Sequence, residues 1–585
     1  MKAPSLSRNA IRILRNRYLL KDDRGEVVET PAQMFWRVAR NVASVDPRKG
    51  RAEEFYEAMA GLEFLPNSPT LMNAGTEIQQ LSACFVIPVV DSIEGIYDAV
   101  KHSAMIHQSG GGTGFSFSSL RPSGDVVRST GGVASGPVSF MRVFDSATEA
   151  VKQGGRRRGA SMGILRVDHP DIREFVHAKE DLASLTNFNI SVAATDEFME
   201  KSSRGEEMDL INPRTGGRTG SVDASELMGE IAEMAWRTGD PGMIFIDEVN
   251  RRNPAPALGR IDATNPCGEV PLLPFEACNL GSINLALLAE GDGFDWDRFE
   301  YLIDLGITFL DDVIDASRFP IPRTEEVVSG NRKVGLGVMG LADCLIELGL
   351  PYGSEGSLSF ARELVGFMRE RAEEATRRLG EERGDFPNID RSVYDPPRRN
   401  LTVLSVAPTG TISMIAGCSS GIEPLYAITT TKHVMEGEHL REVNPLFERE
   451  CQERGLYSEE LMSKVEERHS IQGLEEIPED LRELFVTAHD VAPRDQVMMQ
   501  AAFQERVDNA VSKTINLPHV AGVDQVDSVY RLAHRLGCKG ITVYREGSKP
   551  GQVLTVNERV ECPICGNHIQ AEEGAFVCRS CGHSI

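Results

Sequence analysis

Hydrophobic positions in the first sixty residues recur at three- and four-residue spacing, which is the pattern of helices that bury one face. The stretches RNAIRILRNRYLL and PAQMFWRVARNVA both follow it. From about residue 64 the pattern changes to short apolar runs broken by Gly, Ser, Thr and Pro, as in FLPNSPTLMNAG. This change predicts a helical N-terminal region over residues 1–63 and a different architecture after it.

The longer segment, residues 64–551, alternates between two kinds of pattern. Helical spacing occurs in DSIEGIYDAVKHSAMI, ASELMGEIAEMAWRT and SFARELVGFMRERAEEATRRLGEE, and strand-like runs occur in MIFIDEV, NLTVLSVAP and GITVYRE. This alternation favours one large α/β domain over separate all-α and all-β units. Residues 455–485 are charge-rich and helical, and we interpret them as a solvated face.

The composition sets limits on the class of protein. The chain has 585 residues, 41% hydrophobic and 25% charged, which is typical of a globular protein with a large core. Its net charge of −25 disfavours nonspecific nucleic-acid binding, which depends on neutralising phosphates. No apolar run approaches the roughly 20 residues of a membrane span, and the first residues lack a signal-peptide pattern. We therefore expect a cytoplasmic protein with no nucleic-acid or membrane partner.

Four of the eleven cysteines lie in a short tail, residues 552–585, after a break in composition. The tail contains Cys562-x2-Cys565 and Cys578-x2-Cys581, with twelve residues between the two pairs. Paired cysteines at this spacing are typical of zinc knuckles, and they predict a small zinc-ribbon-like tail that binds Zn²⁺. The other seven cysteines are scattered singly, which does not fit the disulfide framework of a small secreted domain.

The heptapeptide ATNPCGE, residues 263–269, places a thiol, a carboxylate and a carboxamide on one short turn. Pro266 restricts the residue before it and Gly268 tolerates unusual backbone angles, so we expect a tight turn that projects Cys267. Taken alone, a turn with an incidental buried cysteine is the more economical interpretation. Cys278, eleven residues further on, and Cys84 in the strand-like run LSACFV make a chemical role for the turn more plausible.

Two glycine-containing segments could hold an anion through clustered backbone amides, namely GGGTG (110–114) and APTGTIS (407–413). Neither is a Walker motif, and a flexible turn is the alternative interpretation of each.

Several segments, in this order, resemble the catalytic subunit of ribonucleotide reductase. They are SPTLMNAGT, LSACFV, GGGTGF, NPCGE, NLGSINL, RKVGLGVMGLAD and APTGTISMIAGCSSGIEPLYA. NAVSKTINLP and GCKGITVYREGS resemble the adenosylcobalamin-dependent class of that family. The resemblance runs from about residue 64 to 546. It implies an α/β barrel of ten strands, in two five-stranded halves, with a central finger loop that carries NPCGE at its tip.

The resemblance also implies residue roles. Cys267 would carry the transient thiyl radical that abstracts the ribose 3′ hydrogen, and Glu269 would be the general base on the 3′-OH. Asn265 would hold the substrate, and Cys84 and Cys278 would form the dithiol that donates the electrons. The implied substrate-lining residues are Ser68, Ala83, Cys84, Gly112, Asn265, Pro266, Cys267, Gly268, Glu269, Pro408, Thr409, Gly410, Thr411 and Ile412.

A regulatory site is implied by the same resemblance. Asp91, Arg121, Lys152 and Arg156 match the site where a deoxynucleotide or ATP effector selects the substrate base. The simpler interpretation of the RRR run in KQGGRRRGA is a solvated charged turn. The resemblance further implies a homodimer and a reductant similar to thioredoxin or glutaredoxin. In such enzymes C-terminal cysteines reduce the active-site disulfide, so a redox role for Cys578 and Cys581 is the alternative to zinc.

The class assignment within the family rests on this class resemblance and on elimination. The oxygen-dependent class needs two adjacent tyrosines near the end of the barrel, and GITVYREG offers only Tyr544. The glycyl-radical class carries an RVxGY-like tail, and none is present. We therefore expect adenosylcobalamin as the cofactor. The resemblance is to the dimeric branch of the family, which implies ribonucleoside diphosphates as substrates. The alternatives are another thiyl- or glycyl-radical enzyme on the same barrel, such as a lyase, and a catalytically silent nucleotide-binding regulator.

Overall fold

The computed structural model describes residues 3–127, 131–151, 159–291, 293–433, 439–468, 470–549, 569–572 and 575–578. The chain divides into two compact units. The first contains residues 1–425 and 491–548, and the second contains residues 426–490 and 549–585.

The helical N-terminal region predicted from the hydrophobic spacing is confirmed. Three helices occupy it, and the second begins at a capping box in which Thr30 and Gln33 exchange side-chain and backbone hydrogen bonds. The helices of the described chain are α1 (Arg8–Arg17), α2 (Pro31–Val42), α3 (Arg51–Ala60), α4 (Ser68–Asn73), α5 (Ile93–Gln108), α6 (Gly136–Ala150), α7 (Ile172–Val176), α8 (Asp196–Arg204), α9 (Ala224–Thr238), α10 (Ile246–Arg251), α11 (Trp296–Ala316), α12 (Pro322–Asn331), α13 (Leu341–Glu347), α14 (Glu355–Arg383), α15 (Ile412–Ala416), α16 (Pro445–Glu453), α17 (Glu459–Arg468), α18 (Glu479–Leu484), α19 (Pro493–Gln504) and α20 (Val523–Arg535).

The strands of the described chain form one large sheet and several two-stranded hairpins. In chain order they are β1 (Phe64–Pro66), β2 (Cys84–Val86), β3 (Gly112–Ser116), β4 (Val126–Val127), β5 (Gly132–Val133), β6 (Ser161–Arg166), β7 (Phe188–Ala194), β8 (Glu207–Ile211), β9 (Arg218–Asp223), β10 (Gly242–Phe245), β11 (Ala263–Thr264), β12 (Pro271–Leu272), β13 (Ala277–Asn284), β14 (Ala289–Glu290), β15 (Gly293–Phe294), β16 (Val334–Met339), β17 (Thr429–His433), β18 (His439–Val443), β19 (Thr514–Leu517), β20 (Gly540–Arg545), β21 (Ile569–Glu572) and β22 (Ala575–Cys578).

The large sheet has ten strands in the order β1-β13-β2-β3-β6-β7-β10-β20-β19, and β16 also pairs with β13. Strands β2, β3, β6, β7 and β10 run parallel to one another, with helices in the connections between them. The pairs β13–β16 and β19–β20 are also parallel. Both pairs join the five-stranded set through antiparallel contacts, at β13–β2 and at β10–β20. The mixed α/β domain expected from the alternating pattern is confirmed.

The strand-like run at residues 400–408 differs from its prediction. Among the described residues it forms no continuous strand, but it makes the isolated bridges Leu336↔Leu404 and Val406↔Val511. Backbone hydrogen bonds join it to residues 334–336 on one side and to residues 510–512 on the other. Two of its consecutive N–H groups bond to a side chain instead, because the Asp508 carboxylate accepts from Val403 N–H (2.9 Å) and Leu404 N–H (2.8 Å).

A buried apolar cluster lies between the large sheet and residues 258–273, and it contains side chains from β2, β6, β7, β10 and β13. The hairpin β11–β12 contributes Ala263 and Leu272 to this cluster. The sheet therefore has a face that is filled by another part of the chain, and the residues at the tip of that hairpin are the ones singled out above.

The second unit contains the hairpin β17–β18 and the helices α16 to α18. Helices α17 and α18 occupy part of the charge-rich stretch 455–485, and each exposes charged side chains. No helix among the described residues is both long enough and apolar enough to cross a membrane.

Candidate active site

The hairpin β11–β12 carries the heptapeptide turn, and the turn is closed by its own groups. The backbone N–H of Gly268 donates to Asn265 O (3.1 Å), and that of Asn265 donates to Val270 O (3.3 Å). The side chain of Asn265 adds a third contact, because its Oδ1 accepts from Val270 N–H at 3.0 Å. Gly268 has φ 81°, a left-handed conformation that favours glycine. The tight turn predicted from Pro266 and Gly268 is therefore present, and we call residues 263–272 the finger.

Strand β3 makes room for the finger with two glycines. A Cβ at Gly114 would lie 1.7 Å from Thr264 O, and one at Gly112 would lie 2.8 Å from Pro266 Cγ. The sequence allows either an anion-holding loop or a flexible turn at 110–114, and the structure has a strand at Gly112–Ser116 instead. Its glycines permit the close approach of another backbone, which is the other common use of glycine in a strand.

At the tip of the finger, the thiol and the carboxyl differ in their exposure to solvent. Cys267 is exposed, whereas Glu269 is 2% exposed. The backbone O of Glu269 accepts from Ser405 Oγ and from Ala510 N–H, both at 2.9 Å. Asn189 on β7 donates from Nδ2 to Pro266 O at 2.9 Å. These contacts fix the tip from three different segments of the chain.

Cys84 and Cys278 lie directly opposite each other on the antiparallel strands β2 and β13. Both are thiols in the structure, and they are 3% and 1% exposed. Directly opposite residues on antiparallel strands have Cβ atoms about 4.5–5.5 Å apart, so a small movement would permit a disulfide between them. The finger reaches this pair, because Asn265 donates from Nδ2 to Cys84 Sγ at 3.1 Å.

The surroundings of Cys278 favour the protonated thiol. Burial raises the pKa of Cys278 far above its ordinary value, and the nearby Lys333 acts in the opposite direction. A buried thiol that stays protonated can act as an acid and as a hydrogen donor.

The other implied substrate-lining residues come from two further segments. Ser68 is the first residue of α4, and its Oγ lies 2.7 Å from the hydroxyl of Tyr18. In the segment 408–412, Thr409 has φ 51° and its Oγ1 accepts from Gly421 N–H at 2.7 Å. Helix α15 starts at Ile412 and packs against α1 and β1, which brings this segment to the side of the sheet that holds Ser68.

Two residues that contact the site have no motif in the sequence. Tyr18 is 2% exposed and holds Ser68, and Asn189 holds the finger tip. A single tyrosine in a helical stretch and a single asparagine in a strand give no signal of this in the sequence. Ala83, the last of the implied lining residues, precedes β2 and is 8% exposed.

The implied effector residues are partly described. Arg121 donates from Nε to Asp91 Oδ2 at 2.9 Å, and its backbone N–H donates to Asp91 Oδ1 at 3.3 Å. Lys152 and Arg156 lie outside the described residues.

The same holds for most of the tail, since Cys562, Cys565 and Cys581 lie outside the described residues and Cys578 ends β22. Among the residues that the structure describes, no cluster of three or more His, Cys, Asp or Glu side chains could hold a metal ion. Tyr544 lies on β20 next to Arg545, whose guanidinium stacks on Trp236 at 4.1 Å.

The finger brings several chemically distinct groups together. An exposed thiol lies two residues from a buried carboxyl, and two buried thiols lie within reach of the same turn through Asn265.

Comparison with known families shows which protein family the chain belongs to. The model "Ribonucleotide reductase, barrel domain" matches residues 82–398 and 395–544, and "Ribonucleotide reductase, all-alpha domain" matches residues 4–79. The chain belongs to the ribonucleotide reductase family, whose members reduce ribonucleotides to deoxyribonucleotides.

Individual proteins of this family also resemble the chain over most of its length. A protein of Thermoplasma acidophilum is 46% identical over 616 residues, covering 94% of this chain and 80% of the relative. One of Mycobacterium tuberculosis is 50% identical over 559 residues, covering 94% and 79%. Both are named vitamin B12-dependent ribonucleoside-diphosphate reductase. Among solved structures, the class Id ribonucleotide reductase alpha subunit of Actinobacillus ureae matches with a TM-score of 0.78 at 23% identity, covering 94% of this chain and 99% of that one, which shows the shared fold.

Proposed function

We propose that this chain reduces ribonucleoside diphosphates to 2′-deoxyribonucleoside diphosphates, with adenosylcobalamin as the radical source. The observation that carries the proposal is the contact of the finger with the dithiol, in which Asn265 bonds to Cys84 opposite Cys278. Relatives that are 46% and 50% identical over 94% of the chain are named for this cofactor and this substrate class.

The residues divide the work as follows. A thiyl radical on Cys267 takes the hydrogen atom from C3′ of the ribose, and Glu269 takes the proton of the 3′-OH. The 2′-OH then leaves as water, with its proton supplied by a thiol of the Cys84–Cys278 pair. The other thiol supplies the hydrogen at C2′, the pair becomes a disulfide, Glu269 returns its proton to the 3′ oxygen, and Cys267 returns the hydrogen atom to C3′. One C–O bond and two S–H bonds are broken, one C–H bond, one O–H bond and one S–S bond are formed, and one water is released.

The burial of the groups suits these roles. Glu269 and both thiols of the pair are almost fully buried, so the substrate ribose would react in a site with little competing water. Asn265 is 2% exposed and joins the turn to the pair, and it would orient the substrate by hydrogen bonds. Ser68 and the segment 408–412 would bind the rest of the nucleotide, the segment through its phosphates.

The finger tip fits a bulky cofactor on one side. Cys267 is exposed although its neighbours Asn265, Pro266 and Glu269 are buried, so a large group can approach its Sγ directly. Cys267 and the exposed Asn189 are the residues that would face adenosylcobalamin. When bound, this cofactor supplies the radical that removes the hydrogen atom of the Cys267 thiol.

We also propose that the large sheet is closed into a barrel with two five-stranded halves. The support is the bridged segment 400–408, which joins β16 through Leu404 and the chain before β19 through Val511. The barrel would extend over residues 64–551, after a helical region at 1–63 and before a tail at 552–585.

We also propose an effector site and a homodimer for this chain. Asp91, Arg121, Lys152 and Arg156 would bind a deoxynucleotide or ATP effector, and the ion pair between Asp91 and Arg121 supports a site at this position. A homodimer is supported by the apolar side chains that α5 exposes beside this ion pair, with Ile93 66% and Tyr97 52% exposed.

A thioredoxin-like or glutaredoxin-like protein would restore the dithiol. The tail pairs, Cys562 with Cys565 and Cys578 with Cys581, would either bind zinc or relay electrons to it. A zinc measurement on protein purified under reducing conditions separates these two roles.

The deciding experiment is anaerobic turnover of CDP with dithiothreitol, with and without adenosylcobalamin. We expect deoxycytidine diphosphate only when the cofactor is present. Product without the cofactor, or none when both the cofactor and an effector are present, would contradict the proposal. Cys267→Ser should abolish turnover and leave the binding of CDP nearly unchanged.

A further inference from the structure

Cys278 has a neighbour on each side within the sheet. Cys84 lies opposite it on β2. On the other side β16 runs parallel with the register Asn279↔Val334, and Lys333 continues this register at the position beside Cys278. Laterally paired residues in a parallel sheet point to the same face, so Lys333 and Cys278 extend into the same interior. Lys333 is 2% exposed.

The ammonium of Lys333 is held by contacts at the base of the finger. Its Nζ lies 2.7 Å from Glu276 Oε2 and donates to Pro271 O at 3.3 Å. Glu276 is fully buried and immediately precedes β13, two residues before Cys278. The carboxylate of Glu276 also accepts from Asn331 Nδ2 (2.6 Å) and from Leu273 N–H (2.8 Å).

We propose that the ammonium of Lys333 stabilises the thiolate that leaves from Cys278 when a dithiol reductant reopens the Cys84–Cys278 disulfide. The inference rests on the proposed function only in taking these two cysteines as the redox pair. Lys333 acts through Cys278 and has no contact with the substrate, so it is a positioning residue.

The step balances as follows. A thiolate of the reductant forms a bond to Cys84 Sγ, and the S–S bond breaks with its electron pair passing to Cys278 Sγ. The second thiol of the reductant then attacks the mixed disulfide at the reductant's own sulfur and releases Cys84. The reductant ends as a disulfide, and its two protons end on the two enzyme thiols.

The need for a cation follows from the burial of the leaving group. A thiolate in a dry site is unfavourable, and the raised pKa of Cys278 expresses that cost. The carboxylates of Glu276, Glu269 and Asp508 increase the cost, and Lys333 is the strongest influence in the other direction. Buried Lys539 lies nearby, and its own pKa is lowered to about 7, chiefly by burial.

A purely structural explanation competes with the proposal. Lys333 and Glu276 form a buried ion pair, and removing either partner of such a pair leaves an uncompensated charge. If the pair only holds the finger base in place, then Lys333→Gln and Glu276→Gln should disturb the protein in the same direction. If Lys333 acts on the thiolate, the two substitutions should change the reduction rate in opposite directions.

The experiment measures disulfide reduction without the cofactor. The protein is oxidised with diamide, the Cys84–Cys278 disulfide is verified by peptide mapping, and its reduction by dithiothreitol is followed by timed alkylation from pH 6 to 9. We expect Lys333→Gln to slow reduction by about tenfold or more and Glu276→Gln to speed it severalfold. The double variant Lys333→Gln with Glu276→Gln should return close to the wild-type rate.

Three outcomes would count against the proposal or its basis. Equal slowing by both single substitutions would overturn it and favour the structural role. Unchanged rates in both would overturn it as well. Failure of the wild-type protein to form the Cys84–Cys278 disulfide would contradict the proposed redox pair itself, and it would therefore be distinguishable from failure of the inference about Lys333. Should Lys333→Gln fold poorly, Glu276→Gln alone still separates the two explanations, because the proposal expects faster reduction and the structural role expects slower reduction.

Discussion

The carboxamide of Asn265 donates a hydrogen bond to the sulfur of Cys84 across 181 residues of sequence. The same side chain accepts from the backbone of Val270, so one residue closes the finger turn and connects it to the dithiol. Because these two hydrogen bonds restrain the Asn265 side chain, this side chain sets the distance between the exposed thiol at the tip and the buried thiols on the sheet.

Asn265→Ala should therefore impair reduction more than it impairs folding. It removes both hydrogen bonds and leaves the N–H of Val270 without its side-chain acceptor, so we expect kcat/KM for CDP to fall by about 10- to 100-fold. Steady-state kinetics with dithiothreitol measures this effect.

A matched control is Asn444→Ala in the second unit, where the asparagine side chain caps α16 by accepting from Leu446 N–H and Phe447 N–H. It should cost about 1 kcal/mol of stability and leave kcat/KM within about twofold. Equal losses of kcat/KM in the two variants would mean that Asn265 has only a structural role.

Cys278→Ser should stop sustained reduction, because a serine hydroxyl cannot form the disulfide that supplies two electrons. With dithiothreitol and adenosylcobalamin we expect multiple turnover to fall by more than about 100-fold. The control is Cys538→Ser, which makes the same change at another fully buried thiol. That variant should retain turnover, and continued multiple turnover by Cys278→Ser would exclude the dithiol role.

The parts of the fold that could be predicted from the sequence are those set by local pattern. The hydrophobic spacing that predicts α1, α2, α9 and α14 lies within each segment itself, and the structure contains all four helices. The pairing of residues 400–408 could not be predicted in this way. Two of its backbone N–H groups, those of Val403 and Leu404, bond to the side chain of Asp508, which is more than a hundred residues away, and an apolar run in the sequence does not indicate such a distant partner.

The candidate site shows a similar division. The motif NPCGE and its resemblance to a known family predict roles for Cys267, Glu269 and the two distant cysteines. The use of glycine in β3 could not be predicted from the sequence, because amide exposure to an anion and close approach of another backbone need the same residue type. The roles of Tyr18 and Asn189 could not be predicted, because strand register and helix packing place them beside Ser68 and Pro266.

Gly114→Ala should disable the site by displacing the finger. The added Cβ would lie 1.7 Å from Thr264 O, a backbone atom that cannot rotate away, so the hairpin must shift. We expect a loss of stability of about 1–3 kcal/mol in urea unfolding and a loss of most CDP reduction.

The matched control for Gly114 is Gly229→Ala, in the middle of α9, where an added Cβ would meet nothing within 4 Å. This change should stabilise the protein by about 0.5–1 kcal/mol, because alanine favours helix more than glycine does, and it should leave turnover unchanged. Normal turnover in Gly114→Ala would show that the finger tolerates displacement.

Asp312 on α11 should make a contribution to stability that falls as the pH rises from about 4 to 8. Burial raises the pKa of Asp312 to about 8, although Arg383 acts to lower it. A carboxyl with a raised pKa keeps its proton in the folded state after the unfolded chain has lost it. Folding then becomes less favourable with increasing pH, by up to about 1.4 kcal/mol per pH unit, until the folded pKa is passed.

Urea unfolding at several pH values should show a flatter dependence for Asp312→Asn, whereas Asp297→Asn, at the exposed start of the same helix, should follow the wild type. An equally steep dependence in Asp312→Asn would assign the titration to another group.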